Sequence, residues 1–229
     1  LVNPYNVKKL LETLEEKEVL AAISAECGWM EIRFGRFKKA EEFFKQSQNI
    51  YEELGIPPRS GTGTDPILGL SMLATIRGDY EIGEEMAQQA LERAISEGDL
   101  NNQEAEYFQL ASIAYSRGNY EDALKYAQSA HDACMRTGDE WFMAYSLNEL
   151  GKAAQALGEY SQAQVHFLTS YQLREMFNDP EGMALAQLHL GKIALEQQRT
   201  EDARELFQHS ASLYQKILDK GGLASAHLG

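Results

Sequence analysis

The chain has 229 residues, 44% hydrophobic and 24% charged, which is typical of a globular protein and excludes an intrinsically disordered one. The formal net charge of −14 at pH 7 would repel a nucleic-acid backbone and no basic stripe offsets it, so we expect no direct nucleic-acid contact. The sequence contains neither an apolar stretch of about 18 residues nor a signal peptide, so we expect no membrane partner and a cytoplasmic location.

Long windows of the sequence are rich in Ala, Glu, Gln and Leu, with only 5 prolines and no alternating apolar runs. Such windows favour helix, so we predict an all-α protein. The predicted helices, in chain order, are 17–34, 36–54, 66–77, 79–97, 101–117, 119–137, 140–157, 159–177, 181–197 and 200–219.

A 40-residue period organises these helices. Gly78, Gly118 and Gly158 lie 40 residues apart in turns, and Gln198 takes the next place without a glycine. The helix after each turn ends, at the same interval, on residues suited to a left-handed C-cap, namely Gly98, Gly138 and Asn178. Each period therefore contains two helices, and hairpins of this kind bury their apolar faces by stacking on their neighbours.

The period predicts one solenoid over 1–229, made of five hairpins and two stubs. The hairpins cover 17–54, 65–97, 101–137, 140–177 and 180–219. Residues 1–16 are interpreted as the stub of a preceding repeat, and 221–229 as the start of a following one. Because the chain opens on Leu1 and stops within a repeat, we expect it to be a piece of a longer polypeptide.

Small residues recur 12 positions apart in the two helices of each hairpin. The pairs are Gly28 with Ala40, Ser71 with Gly83, Ala111 with Ala123, Gly151 with Ala163, and Gly191 with Ala203. We interpret these pairs as places where the two helix backbones approach closely. Four residues after each pair, the second helix carries a residue predicted to fill the space between hairpins: Phe44, Ala87, Ala127, Phe167 and Phe207.

This pattern resembles the tetratricopeptide repeat in a 40-residue form. The family's series of small residue, Ala, Phe and small residue is matched at Gly151, Ala163, Phe167 and Ser170, and likewise in the next repeat. The resemblance covers nearly the whole chain and implies a right-handed superhelical solenoid of antiparallel helix hairpins. The usual turn proline is absent, and Thr200 replaces the turn aromatic. Residues 138–164 are also similar to the repeat arms of bacterial signalling ATPases and of maltose-regulator-like (LuxR-type) transcription activators.

In this family the first helix of each repeat lines the concave face and carries the binding surface. The resemblance therefore implies a protein or peptide partner, held as an amphipathic helix or an extended segment. Steps of three and four residues keep the corresponding positions on one helical face. The predicted partner-binding residues are Trp29, Met72, Phe108, Tyr145, Asn148, Lys152 and Lys192. An alternative is that the aromatic members pack between adjacent first helices.

The residues specify no catalytic constellation. The five histidines are spread over several repeats, and His131 and Cys134 share a helix without further metal ligands nearby in sequence. We therefore predict no catalytic residue, metal site or cofactor, and interpret Cys27 and Cys134 as buried thiols.

The chain is accordingly interpreted as a non-enzymatic interaction module of a larger signalling or transcription-regulatory protein. The alternative is a ligand-sensing arm that binds a small molecule inside the superhelix. A buried polar cluster would favour the sensor, and an open groove would favour the interaction module. Formation of a homodimer through the solenoid ends is a further hypothesis.

Overall fold

The chain folds entirely into helices and turns over the residues that its computed structural model describes, which are 17–58, 65–217 and 219–228. The helices are α1 Lys17–Arg33, α2 Phe37–Leu54, α3 Pro66–Arg77, α4 Tyr80–Glu97, α5 Leu100–Ser116, α6 Tyr120–Thr137, α7 Glu140–Ala156, α8 Tyr160–Met176, α9 Pro180–Glu196, α10 Thr200–Lys216 and α11 Lys220–Leu228. The all-α prediction is confirmed, and the ends of the first ten helices lie within three residues of the predicted ones. The predicted stub at 1–16 and most of the loop before α3 lie outside the described residues.

Aspartates cap the starts of several first helices, among them α3, α7 and α9. The carboxylates of Asp65, Asp139 and Asp179 accept hydrogen bonds from backbone N–H groups two or three residues ahead, at 2.8–3.1 Å. Each bond satisfies one of the N–H groups that an α-helix leaves unpaired at its start. These caps locate the beginning of the first helix in their repeats.

The chain divides into two compact units, unit 1 over Leu1–Ile113 and unit 2 over Ala114–Gly229. In unit 1, α1 packs on α2, α2 on α3 and α3 on α4, and the first helices α1 and α3 also touch. In unit 2, successive helices from α6 to α11 pack in order, and the first helices α7, α9 and α11 contact one another in turn. Each unit is therefore a stack of helix hairpins whose core lies between neighbouring hairpins.

The glycines of the first helices make room for aromatic rings. A Cβ added to Gly28, Gly151 or Gly191 would lie 2.6–2.7 Å from the nearest ring atom of Phe44, Phe167 or Phe207, respectively. In these three hairpins the space beside the glycine is taken by the phenylalanine of the second helix, and a close approach of the two backbones there stays a prediction. The phenylalanines are at most 7% exposed.

Ser71 and Gly83 behave as the sequence interpretation expects. A Cβ on Gly83 would lie 3.1 Å from the backbone oxygen of Ser71, and the Ser71 hydroxyl donates a 2.7 Å hydrogen bond to the Gly83 carbonyl. The second helix here carries Ala87 in place of a phenylalanine. Close backbone approach and aromatic filling are therefore alternatives at equivalent positions of the repeat.

Large and small residues also alternate where the second helix of one hairpin contacts the first helix of the next. A Cβ on Gly182 would lie 2.5 Å from Arg174 Cδ, and a Cβ on Gly222 would lie 2.2 Å from the ring of Tyr214. One repeat earlier, the equivalent positions hold the small Cys134 and the large Phe142, both buried. The large residue of the pair therefore lies on the second helix in the two later repeats and on the first helix in the earlier one.

Candidate functional site

The predicted binding residues of unit 1 are Trp29, Met72 and Phe108, and all three are partly exposed. The Trp29 ring meets Phe44 edge-on at a centroid distance of 5.3 Å. Its indole Nε1 is buried and has no hydrogen-bond partner within the described part of unit 1. Trp29 thus contributes to the core of unit 1 as well as to its surface.

The predicted binding residues of unit 2 lie on α7 and α9. The Lys152 ammonium pairs with both carboxylate oxygens of Glu149, at 2.8 and 2.9 Å, and lies 4.6 Å from the ring centroid of Tyr115. Asn148 is 8% exposed, and Lys192 is exposed. Across the described residues of unit 2, neither of these two side chains forms a hydrogen bond or an ion pair.

Tyr145, the remaining predicted residue, belongs to an aromatic cluster around a buried cation. The Arg174 guanidinium lies 3.7 Å from the Tyr145 ring centroid and 5.4 Å from that of Trp141. The same guanidinium donates a 2.8 Å hydrogen bond to Asp179, which also caps α9. Trp141 is 43% exposed and meets Phe177 edge-on.

Trp141 is a candidate that sequence reasoning missed. It lies four residues before Tyr145, so the same helical spacing that selected Tyr145 places Trp141 on the same face. Extending the face one turn toward the start of α7 would have identified it.

His189 is a partly buried titratable group of unit 2. Burial, together with the positive charges of Lys192 and Lys152, lowers the pKa of the imidazole to about 3, so the ring is neutral at pH 7. The ring stacks on Phe167 with a centroid distance of 4.7 Å. Its Nδ1 is buried and has no hydrogen-bond partner among the residues described.

Unit 1 contains a buried acidic cluster where α3, α4 and α5 meet. Asp65 pairs with Arg93, and the Glu106 carboxyl, 1% exposed, feels both charges. Burial is the main reason that the pKa of Glu106 lies well above its usual range, and the Asp65 charge adds to it. Burial therefore favours the protonated form of Glu106.

Within the described residues, no three His, Cys, Asp or Glu side chains are grouped so that they could hold a metal ion. His131 Nδ1 lies 3.3 Å from the Ser146 hydroxyl, and Cys27 and Cys134 are buried thiols, as predicted. None of the helices in those ranges combines the length and apolar character needed to cross a bilayer.

Family models of the tetratricopeptide repeat match residues 103–176 and 183–221. These two segments of the chain are tetratricopeptide repeats. None of the curated proteins matches the whole of this repeat protein or a part of it.

Solved structures of other repeat proteins share its fold. A Rap protein complexed with Competence and Sporulation Factor has a TM-score of 0.77 and 16% identity, over 93% of this chain and 57% of that one. NprR in complex with its cognate peptide NprX has a TM-score of 0.68 and 18% identity, over 91% and 61%. A signal transduction ATPase with numerous domains and a tetratricopeptide repeat sensor, from Pyrococcus horikoshii, has a TM-score of 0.58 and 18% identity, over 96% and 38%. The chain thus spans a little over half the length of the Rap protein.

Proposed function

We propose that this repeat protein is a non-enzymatic interaction module that binds a peptide or helix on the surface of its first helices. One observation carries the proposal: Asn148 and Lys192, on the touching helices α7 and α9, have no partner within the described residues of unit 2. An amide that is 8% exposed and unpaired costs free energy unless water or a ligand satisfies it. Tyr145 lies one turn before Asn148 and supplies aromatic contact area.

The fold neighbours support this proposal. The NprR structure contains a cognate peptide, and it aligns with 91% of this chain. Tetratricopeptide repeats bind short segments by accepting a helix or an extended chain along exposed helices, so the same fold is suited to the same task.

The test begins with a peptide-display selection against the whole chain, followed by fluorescence anisotropy with the selected peptide. We expect Lys192→Glu and Asn148→Ala each to weaken binding at least about tenfold, equivalent to about 1.4 kcal/mol. Lys152→Glu should have a smaller direct effect, because Glu149 already holds the ammonium. Lys125→Glu is the control, since Lys125 lies on the second helix α6 and pairs with Asp122.

Thermal unfolding of each variant separates recognition from packing. If the selected peptides bind Lys192→Glu and Asn148→Ala as tightly as they bind the unchanged chain, or if no peptide binds saturably, the proposal fails. Loss of folding in a variant that is designed only to lose binding would favour a packing role for that residue.

In unit 1 we propose Trp29, Met72 and Phe108 as contacts of the same kind. Because Trp29 packs on Phe44, alanine would remove core contacts as well as surface. Trp29→Phe keeps a ring against Phe44, so it reduces the aromatic area at the surface with a smaller loss of core contacts than alanine would cause. Met72→Ala and Phe108→Ala should weaken peptide binding without moving the unfolding midpoint by more than a few degrees.

We further propose that the chain works in the cytoplasm as part of a larger signalling or transcription-regulatory protein. The ATPase from Pyrococcus horikoshii has a tetratricopeptide repeat sensor, and the alignment with this chain covers 38% of it. A nucleotide-binding motif in the coding sequence next to this chain would support the proposal. Homodimer formation through the terminal helices also remains a proposal, and light scattering that gives a strict monomer at high concentration would remove it.

A ligand-sensing arm is the second candidate, favoured by the buried cluster of Asp65, Arg93 and Glu106. A small molecule that binds there should raise the unfolding temperature of the unchanged chain and not that of Glu106→Gln. Equal shifts in both proteins would exclude this site.

A further inference from the structure

The second helix α8 has an outer face without charged side chains. The opposite face of α8, with Ala163, Phe167 and Ser170, is buried in the core of unit 2. Five exposed residues, three or four positions apart, follow one another along the outer face, and we call them the α8 strip: Ser161, Val165, Leu168, Gln172 and Met176.

Large apolar side chains dominate the α8 strip. Val165 is 61% exposed, Leu168 is 43% exposed and Met176 is 70% exposed. The other two members are neutral, and helical spacing places Glu175 at the edge of the strip. At 1.5 Å per residue the strip is about 24 Å long. An exposed apolar surface of this kind is typical of a protein interface, whose core is depleted of charged residues and enriched in methionine.

The other second helices carry charges at the equivalent positions, which lie 40 residues apart, or 43 across the loop before α3. Four places of the α8 strip, all but that of Leu168, are charged in α6: Glu121, Lys125, Asp132 and Arg136. Three of the same four places are charged in each of α2, α4 and α10. Charged residues are the usual occupants of a helix face toward water. The uncharged strip is therefore a property of α8 and not of the repeat.

The charge of the whole chain indicates which partner fits the α8 strip. The formal net charge is −14, so two copies of the chain repel each other, and the repulsion is weakest where the contacting surfaces are themselves uncharged. A basic partner would instead gain free energy from an acidic surface, such as the glutamate-rich outer face of α4. In a two-fold dimer both copies contribute the same surface, so a strip without charges brings no like charges together.

We propose that two copies of this chain associate through the α8 strip, with their α8 helices antiparallel. A two-fold axis near Leu168 brings Val165 of each copy opposite Gln172 of the other, and the dipoles of the two helices oppose each other. The interface is one helix wide and smaller than the roughly 800 Å² per partner of a standard one, so we expect a dissociation constant on the order of 10 μM. This surface is separate from the terminal helices considered above, and the inference does not depend on peptide binding.

Sedimentation of the whole chain, at concentrations between about 1 and 300 μM, measures the monomer–dimer equilibrium. The double variant Val165→Glu with Gln172→Glu should raise the dissociation constant at least about tenfold, because it places carboxylates opposite one another. The matched control is Ile82→Glu with Asn49→Glu, on exposed positions of α4 and α2. The control replaces similar residues and makes the same change in net charge, and it should leave the dissociation constant unchanged.

A charge exchange tests the antiparallel arrangement. Val165→Glu with Gln172→Lys should restore association to within about threefold of the unchanged chain, because each new carboxylate then meets an ammonium of the other copy. A parallel pair would bring like charges together instead. Added salt should strengthen the dimer of the unchanged chain, since salt screens the repulsion between two acidic copies. Thermal unfolding and the binding of display-selected peptides should be the same in all these variants, because the replaced side chains are exposed.

Four results would overturn the inference: a monomer over the whole concentration range, unchanged association in Val165→Glu with Gln172→Glu, no recovery in the charge exchange, or weaker association at higher salt. Leu228→Glu distinguishes the terminal helices, because Leu228 is exposed on α11. If this variant alone abolishes association, the dimer forms through the terminal helices and the α8 strip is excluded. If the dimer forms as described but no peptide binds, only the peptide-binding function fails.

Discussion

The α3–α4 hairpin of unit 1 and the α7–α8 hairpin of unit 2 fill equivalent positions with different chemistry. In α3–α4, Ser71 bonds to the backbone of Gly83, and Gln109 donates to the hydroxyls of Ser71 and Thr75 at 3.1 Å. In α7–α8, the place of Ser71 is taken by Gly151, that of Ala87 by Phe167 and that of Gln109 by His189.

Equivalent positions of the repeat are therefore occupied by different residue types that pack in different ways. A hydrogen-bonded polar group and a stacked pair of rings occupy the same space between two helices, and each excludes water from it. The hydrogen-bonded group in α3–α4 and the stacked rings in α7–α8 should respond differently to substitution and to pH. Unit 1 contains Trp29 and unit 2 contains Trp141. The fluorescence of Trp29 in a Trp141→Phe variant therefore reports unit 1, and that of Trp141 in a Trp29→Phe variant reports unit 2.

The largest expected effect concerns the packing of Phe167 against Gly151 in α7–α8. Phe167→Ala should lower the free energy of unfolding of unit 2 by about 3–5 kcal/mol, because the cavity left beside Gly151 cannot close fully. Gly151→Ala should cost about 1–3 kcal/mol through overlap with the ring. In the double variant the new methyl group occupies vacated space, so the two losses should be less than additive when measured by urea unfolding. Additive losses would contradict the packing described for this hairpin.

The next effect is the acid sensitivity of unit 2. The folded imidazole of His189 has a pKa of about 3, whereas the unfolded one titrates near 6.5, so the unfolded state binds the extra proton between these values. Stability should therefore be present above pH 6.5 and fall below it, by up to about 1.4 kcal/mol per pH unit. His189→Gln, which copies the residue at position 109, should flatten this dependence in urea titrations at pH 7 and pH 5. The exposed His209→Gln is the control and should leave the slope in place.

Unit 1 should respond to pH in the opposite direction. The raised pKa of Glu106 means that the folded state keeps a proton that the unfolded state loses above about pH 4.5. This contribution to stability is complete at low pH and is lost as the pH rises toward the folded pKa. Because burial also raises the pKa of Asp65, Glu106→Gln should reduce the decline rather than abolish it, as monitored by Trp29 fluorescence during urea unfolding. The surface substitution Glu97→Gln should leave the decline unchanged, and an equally steep decline in Glu106→Gln would contradict the assignment to Glu106.

A smaller effect is expected for the hydrogen bonds of Ser71 in α3–α4. Ser71→Ala removes the donor to the Gly83 carbonyl and the acceptor for Gln109, which should cost unit 1 about 1–3 kcal/mol. Ser129→Ala is the comparison, because the Ser129 hydroxyl bonds only to its own helix, and its loss should be within about 0.5 kcal/mol. Equal losses in the two variants would show that the buried network adds nothing.

The smallest effect concerns the turn before α10. Gln198 has a φ of 61°, in the left-handed region, where the equivalent residue of the preceding repeat is Gly158 with a φ of 80°. Gln198→Gly should raise the stability of unit 2 by about 1 kcal/mol, because the Cβ clash disappears. Gly158→Gln should lower it by a similar amount in the same denaturation assay, and a Gln198→Gly variant less stable than the unchanged chain would contradict this reading.

Part of the candidate site could be predicted from the sequence and part could not. Helical spacing identified the faces that carry Tyr145, Asn148, Lys152 and Lys192, because position on a helix follows from residue number alone. Spacing could not show that Lys152 is bound by Glu149 while Lys192 is unpaired, since both are lysines at equivalent positions. Their role as binding residues stays a prediction. Trp141 was missed because the face was ended one turn too early.

The sequence by itself determined the helices, their order and the 40-residue period, because capping residues, turn glycines and apolar spacing act over a few neighbouring positions. The tertiary structure decided what each small residue is for. Gly151 receives a ring from another helix and Ser71 receives a backbone, and no local rule distinguishes the two. It also decided the ionisation of His189 and Glu106, because burial and the charges of residues distant in sequence determine the energy of a proton at each site.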